Sequence, residues 1–123
     1  MVRHMANHFQ TLDRTFHALS DPTRRAVVES LSDHGESSVT ALAAPFPIGL
    51  PTFLKHLRVL EDSGLVTTTK TGRTRMCRLR PRPLGDVETW LSTRRRSVDA
   101  QLDAFSTYVE SIPNPPEVSH DNP

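Results

Sequence analysis

A chain of 123 residues, of which 36% are hydrophobic, has enough apolar side chains for one modest core. Its single cysteine, Cys77, excludes an intrachain disulfide, and no apolar run is long enough to cross a membrane, so we expect a soluble cytoplasmic protein. The net charge is +1, but residues 51–96 hold eleven Lys or Arg against four acidic residues, a local charge of +7. Such a segment is typical of proteins that bind polyanions. The charge alone is equally consistent with a surface that contacts only solvent.

The first elements are predicted to be a flexible arm, residues 1–8, and a helix behind it. Apolar residues of that helix recur at spacings of three and four: Phe9, Leu12, Phe16 and Leu19. Asp21 is placed to cap a second helix that begins at Pro22 and ends near Gly35. An extended link at residues 37–39 then leads to a brief third helix, 41–44, for which Thr40 is the expected cap.

The fourth helix is predicted to run from Leu50-Pro51 to the stop signal Ser63-Gly64. Phe53, Leu57 and Leu60 form its buried stripe at helical spacing. The residues on or beside the opposite face are candidates for binding DNA: Leu50, Pro51, Thr52, Leu54, Lys55, His56 and Arg58. For His56 a packing role at the edge of the core is an equally good interpretation.

Residues 65–69 and 74–79 are rich in residues that favour strands and predict a β-hairpin with a turn at Thr71-Gly72. Three cations lie at its tip: Lys70, Arg73 and Arg75. Cys77 is expected to be a half-buried strand residue, with redox sensing the less favoured alternative. Pro81 and Pro83 are expected to interrupt the regular secondary structure after the hairpin.

A long last helix is predicted to end at Pro113, with residues 113–123 as a disordered tail. Trp90 is expected in the core. The run Arg94-Arg95-Arg96 is equally well a solvated face or a DNA contact. Because the apolar faces of the first and last helices exceed what one small core can bury, we expect a homodimer. The candidate dimer contacts are Phe9, Leu12, Phe16, Val98, Leu102, Phe105 and Val109.

The predicted order is α-α-α-α-β-β-α, a mainly α fold with a small β-hairpin. The third and fourth helices then form a helix-turn-helix whose second member fits the DNA major groove, and the hairpin is a wing beside it. Residues 9–112 are thus predicted to be a winged helix-turn-helix domain for DNA binding and dimerisation. Cations of the wing would contact phosphates, and outer residues of the fourth helix would contact bases.

The chain also resembles the ArsR/SmtB-type winged-helix repressors over roughly residues 9 to 112. The similar segments are Asp21 to Ala26, Pro51 to Glu61, Ser63 to Val66, and Gly72-Arg73 in the wing. The resemblance implies a homodimer in which the first and last helices pack against their symmetry mates. It also implies that the fourth helix and the wing bind double-stranded DNA, with an imperfect palindrome as the target.

Two features depart from the pattern that this resemblance implies. The family usually has a small polar cap where Gly49 stands and commonly Ser where Leu54 stands. Many members also carry cysteines on the third helix or a His/Asp/Glu set on the last helix, whereas residues 40–44 contain no thiol and residues 84–112 no histidine. We therefore expect no standard metal site, no cofactor and no metal ligands.

The leading prediction is a homodimeric, sequence-specific DNA-binding repressor that is not an enzyme, with no membrane partner and an effector that the sequence does not identify. One alternative is a small-molecule or redox sensor on the same fold. Another is a winged-helix module that binds proteins, which the basic wing and the outward Lys55 and Arg58 disfavour. No nucleophile elbow or Gly-rich phosphate loop supports catalysis.

Overall fold

The computed structural model describes the backbone of residues 2–113 and the side chains of residues 10–113. These residues form two compact units, of which one ends at Glu88 and the other begins at Thr89, within the last helix. The elements in chain order are α1 (Val2–Leu19), α2 (Pro22–His34), β1 (Ser37–Ser38), α3 (Val39–Ala43), α4 (Leu50–Asp62), β2 (Val66–Thr71), β3 (Thr74–Leu79) and α5 (Pro81–Ser111).

The core of the first unit lies where α2, α3 and α4 pack on the base of the sheet. Periodic apolar residues from each element meet there because only one stripe of each helix is hydrophobic. The largest side chains that are fully buried among these elements include Phe53, Leu57, Leu60, Leu65 and Val27. The buried stripe predicted for α4 is thus confirmed, and it fixes which face of α4 remains outside.

The sheet has three antiparallel strands in the order β1-β3-β2, rather than the hairpin alone. The segment predicted as an extended link pairs with β3, with Ser37 opposite Cys77 and Ser38 opposite Met76. In the hairpin, Thr71 lies opposite Thr74, so the turn consists of Gly72 and Arg73, one residue beyond the predicted turn. Gly72 has a φ of +64°, which favours glycine.

Two of the three predicted helix caps are correct. Asp21 caps α2, since its carboxylate accepts a hydrogen bond from the backbone N–H of Arg24 at 3.0 Å. Gly49 caps α4 and, as expected for a residue without a side chain, makes no side-chain cap bond. The prediction of Thr40 for α3 is wrong: α3 begins earlier, and Ser38 accepts from the Ala41 N–H at 3.1 Å.

The ends of the chain differ from the predicted boundaries. The helix α1 starts at Val2, so residues predicted as an arm are helical in the structure, and their flexibility stays a prediction. Pro81 and Pro83 do not interrupt the secondary structure, because they lie in the first turn of α5, where no backbone N–H is needed. Of the predicted tail, residues 114–123 lie outside the described residues.

The second unit is the remainder of α5. From Thr89 to Pro113 every residue is exposed except Thr93, which is half-buried. Trp90 is 41% exposed, so the expectation that it belongs to the core is wrong; the Arg94 guanidinium lies 5.6 Å from its ring centroid. Within the part of the chain that the structure describes, no helix combines the length and apolar character needed to span a membrane.

Candidate nucleic-acid interface

The outer face of α4 carries most of the residues predicted to bind DNA. Leu50, Pro51, Thr52, Leu54, Lys55 and Arg58 are all exposed there. Phe53 and Leu57, from the same two turns, are buried and hold the helix against the core. The face is therefore a rigid surface that combines cations with apolar groups, of which Leu54 is 42% exposed.

A groove of about 350 Å³ separates this face of α4 from the wing. Its lining comprises Pro51, Leu54, Lys55, Leu57, Arg58, Glu61 and Arg75. Three of these side chains are cationic and one is acidic, so the lining of the groove carries a net positive charge beside apolar groups. The structure thus brings Lys55, Arg58 and Arg75 together, as expected if helix and wing contact one polyanion.

The tip of the wing carries the other two predicted cations. Lys70 lies directly opposite Arg75 in the β2–β3 ladder, and Arg73 occupies the two-residue turn. All three side chains are exposed. Neighbouring like charges at a hairpin tip repel one another in the free protein, and the binding of phosphate groups would relieve that repulsion.

A hydrogen-bonded chain, which sequence reasoning missed, connects the wing to α4. The Arg75 guanidinium donates to Thr68 Oγ1 at 3.0 Å, and the Thr68 hydroxyl donates to Glu61 Oε2 at 3.0 Å. Thr68 and Arg75 share a sheet face because they lie two rungs apart in the ladder. This series of hydrogen bonds orients the Arg75 side chain toward the groove. Nothing in the local sequence indicates it, since each pair is seven residues apart.

His56 does not belong with the outward residues. Its Nδ1 lies 3.2 Å from an Arg24 guanidinium nitrogen and 3.7 Å from Asp21 Oδ2, and its side chain is only 21% exposed. The structure favours the packing role at the core edge over the DNA contact, because both neighbours belong to this chain. We therefore leave His56 out of the DNA contacts proposed below.

The predicted dimer residues fall into three groups. Leu12 is only 4% exposed, buried within its own chain, so it is not available to a partner and is removed from the set. Phe16 is 39% exposed, and the side chain of Phe9 lies outside the described side chains. The four residues of α5 stay exposed at 47–65%: Val98, Leu102, Phe105 and Val109.

Comparison with known proteins identifies the family. A model described as a helix-turn-helix domain matches residues 19–69. The HTH-type transcriptional regulator Rv2034 of Mycobacterium tuberculosis is 38% identical over 97 residues, covering 76% of this chain and 90% of the relative. The crystal structure of the ArsR family transcriptional regulator RHA00566 is 44% identical with a TM-score of 0.69, covering 73% of this chain and 92% of that one.

The chain belongs to the ArsR family of transcriptional regulators. The arsenical resistance operon repressor of Staphylococcus xylosus is 35% identical over 71 residues, which cover 58% of this chain and 67% of that protein. The predicted winged helix-turn-helix fold and DNA-binding function are confirmed by these matches, and the family consists of regulators rather than enzymes. The matched helix-turn-helix segment spans α2 through most of β2 and so includes the whole outer face of α4.

This ArsR-family member differs from a redox sensor at Cys77. The thiol is fully buried at the centre of the sheet, deeper than predicted, and burial raises its pKa to about 11, with the Glu61 and Glu36 carboxylates adding to the shift. A thiol with so high a pKa is almost entirely protonated at neutral pH and is a poor nucleophile. Among the described residues, no group of three or more His, Cys, Asp or Glu is arranged to hold a metal ion.

Proposed function

We propose that this ArsR-family regulator is a homodimeric repressor that binds an imperfect palindrome through α4 and the wing of each protomer. The observation that carries the proposal is the outer face of α4, where Leu54, Lys55 and Arg58 line a groove together with Arg75 of the wing. We assign DNA binding and dimerisation to residues 9–112 and the cytoplasm as the compartment, where a regulator meets a bacterial chromosome.

The proposed DNA contacts are divided by chemistry. Thr52 and Lys55 can donate hydrogen bonds to base edges in the major groove, and exposed Leu54 fits a thymine methyl group. Lys70, Arg73 and Arg75 suit phosphate oxygens, which fix the register without reading sequence. Leu50, Pro51 and Arg58 complete the proposed contact surface on α4.

The proposed dimer rests on α5. Val98, Leu102, Phe105 and Val109 recur at spacings of four, three and four, so they form one apolar stripe, and all four are exposed. An exposed apolar stripe of this length marks an interaction surface. Two copies related by a two-fold axis would then place two α4 helices in major grooves about 34–36 Å apart.

Repression without metal is supported by two observations. The Staphylococcus xylosus relative is named an operon repressor. Residues 40–44 contain no cysteine, and residues 84–112 contain no histidine. Elemental analysis of the purified dimer, with DNA binding measured in the presence and absence of chelator, tests this part. Stoichiometric zinc or copper that abolishes binding would contradict it.

Selection of duplexes from a random pool, followed by fluorescence anisotropy across a salt series, tests the DNA contacts. Arg73→Ala and Arg75→Ala should weaken binding to selected and scrambled duplexes alike and lower the salt slope by about one per lost phosphate contact. Lys55→Ala and Thr52→Ala should instead change the ranking of sequences, at about 1–3 kcal/mol per lost base contact.

Arg78→Ala is the matched control, because Arg78 is an exposed arginine of the same strand as Arg75 but on the opposite face of the sheet. It should leave both the affinity and the salt slope close to those of wild type, whereas Arg75→Ala should lower both. If the four test variants bind both duplexes like wild type while remaining folded dimers, α4 and the wing do not carry DNA binding. The alternative of a protein-binding winged helix would then take its place.

A further inference from the structure

Arg24 of α2 joins three helices through its guanidinium group. Its Nε donates to the carbonyl oxygen of Ala18 at 2.8 Å, and its Nη2 donates to that of His17 at 3.2 Å. Its Nη1 lies 3.2 Å from Nδ1 of His56 on α4. All three nitrogens therefore have partners, two at the end of α1 and one on α4.

Asp21 holds the base of this arrangement in place. Its carboxylate accepts from the backbone N–H of Arg24 at 3.0 Å, and the same oxygen lies 3.7 Å from His56 Nδ1. The hydrogen bond from the Arg24 N–H lowers the pKa of Asp21, so the carboxylate is ionised at neutral pH. The negative charge beside the guanidinium limits the positions that Arg24 can adopt.

We propose that Arg24 is a positioning residue for the DNA-binding face of α4. His56 is adjacent to Lys55 and two residues from Arg58, so a contact that fixes His56 also fixes where those cations project. Through the carbonyls of His17 and Ala18, the same guanidinium ties α4 to α1. The inference rests on the proposed function and adds a residue of α2, outside the groove, to the determinants of DNA affinity.

The proposed contact predicts which tautomer of His56 is present. A guanidinium group can only donate hydrogen bonds, so His56 Nδ1 must be the acceptor. The proposed contact therefore requires the His56 tautomer that carries its proton on Nε2. This state is a direct signature of the Arg24 contact that can be measured without DNA.

Arg25 offers a matched control. Its Nη1 donates to the carbonyl oxygen of Leu19 at 2.8 Å, so it also caps the end of α1. The structure gives it no hydrogen bond to α4. Replacing either arginine with alanine removes one positive charge and side-chain bonds to α1, but only Arg24→Ala also removes the contact with His56.

The experiment compares DNA affinity, dimer stability and the His56 tautomer in Arg24→Ala, Arg25→Ala, His56→Leu and the Arg24→Ala/His56→Leu double variant. On the selected duplex we expect Arg24→Ala and His56→Leu each to lose about tenfold in affinity, and the double variant to lose no more than either, as for residues of one network. Arg25→Ala should stay within about twofold of wild type. His56→Gln, whose amide oxygen can accept from Arg24, should recover most of the loss.

Long-range proton–nitrogen correlation spectra of the free protein give the second readout, with the His56 signals assigned by their loss in His56→Gln. Wild type should show an unprotonated Nδ1, and Arg24→Ala should shift that nitrogen whereas Arg25→Ala should not. If Arg24→Ala folds poorly, His56→Leu decides, because it leaves both bonds to the α1 carbonyls intact.

Three results would overturn the inference. The first is wild-type affinity in both Arg24→Ala and His56→Leu. The second is a loss of affinity in Arg25→Ala equal to that in Arg24→Ala, because Arg24 would then act only as a cap of α1. Additive losses in the double variant would instead make His56 a direct DNA contact. If the wild-type dimer binds no duplex, the proposed function itself is overturned. If wild type binds and the variants bind equally well, only the inference about Arg24 is overturned.

Discussion

The helix α4 and the part of α5 beyond Glu88 have the same kind of sequence pattern but different surroundings. In α4 the apolar stripe of Phe53, Leu57 and Leu60 is buried by the chain itself. In α5 the stripe that contains Leu102 and Phe105 is exposed, with Phe105 at 65%. A helical period therefore indicates which residues share a face, and it does not say which molecule covers that face.

The difference agrees with the separate roles that we propose for the two helices. Because the first unit buries the inner face of α4, the outer face is presented rigidly, as a surface that must match DNA requires. Because the α5 stripe has an apolar surface in water, burying it against a second copy, as we propose, would supply the hydrophobic free energy for dimerisation. The predictions below test this division, beginning with the largest expected effect.

Phe105→Glu should abolish the dimer. A carboxylate at the centre of an apolar interface is desolvated without a partner, so the dissociation constant should rise more than a hundredfold, equivalent to about 3 kcal/mol or more. Analytical ultracentrifugation over a concentration series measures it. Thr107→Glu, on the opposite side of the same helix, is the control and should remain dimeric. A dimeric Phe105→Glu would mean that the α5 stripe is not the interface.

Leu57→Ala should destabilise the first unit by about 2–5 kcal/mol, because it leaves a cavity beneath α4. Leu54→Ala, one turn away on the exposed face, should change the free energy of unfolding by less than about 0.5 kcal/mol. Urea denaturation at fixed protein concentration measures both. Equal losses would contradict the two-faced description of α4.

Asp21→Ala should cost about 0.5–2 kcal/mol through the lost cap of α2. Since the folded-state pKa of Asp21 is lowered, its contribution is fully present above about pH 4 and is lost as the pH falls through the folded pKa. Asp21→Asn keeps a capping oxygen but does not titrate, so it should remove this pH dependence while retaining part of the stability. A wild-type stability profile identical to that of Asp21→Asn below pH 4 would refute the assignment.

Cys77 should not react with a thiol reagent such as Ellman's reagent at pH 7–8 until the protein unfolds, because it is buried and its pKa is raised to about 11. A Thr107→Cys variant in a Cys77→Ala background provides an exposed thiol on α5 and should react within minutes. Fast reaction of wild type in native buffer would show that the core beneath α4 opens more readily than its packing indicates.

Much of the fold follows from local signals. Three local signals each place an element: the helix stop at Ser63-Gly64, the helix cap at Asp21, and the helical spacing of the apolar residues of α4. The strand Ser37–Ser38 was missed because two residues carry no periodicity, and its pairing with β3 depends on residues forty positions away. Ser and Thr are both residue types that can cap a helix, so the sequence does not separate Ser38 from Thr40; in the structure Ser38 is the cap, and Val39, the first residue of α3, is buried.

The proposed site was predictable only in part. The outward cations of α4 and the wing follow from helical geometry and from the position of the turn. The chain from Glu61 through Thr68 to Arg75 and the contact between Arg24 and His56 do not, because they join residues that come together only after folding. Leu12 and Phe16 were assigned to one interface by spacing, although the structure buries the first and exposes the second.

Photo-cross-linking to the selected operator tests the central claim most directly. With benzoylphenylalanine in place of Thr52, on the outer face of α4, the dimer should cross-link at two positions about one helical turn apart, one in each half-site. The same group in place of Ser32, an exposed residue of α2, should give no cross-link. Cross-links from Ser32, or none from a Thr52 variant that is shown by anisotropy to be bound to the operator at the concentration used, would contradict the claim that α4 enters the major groove.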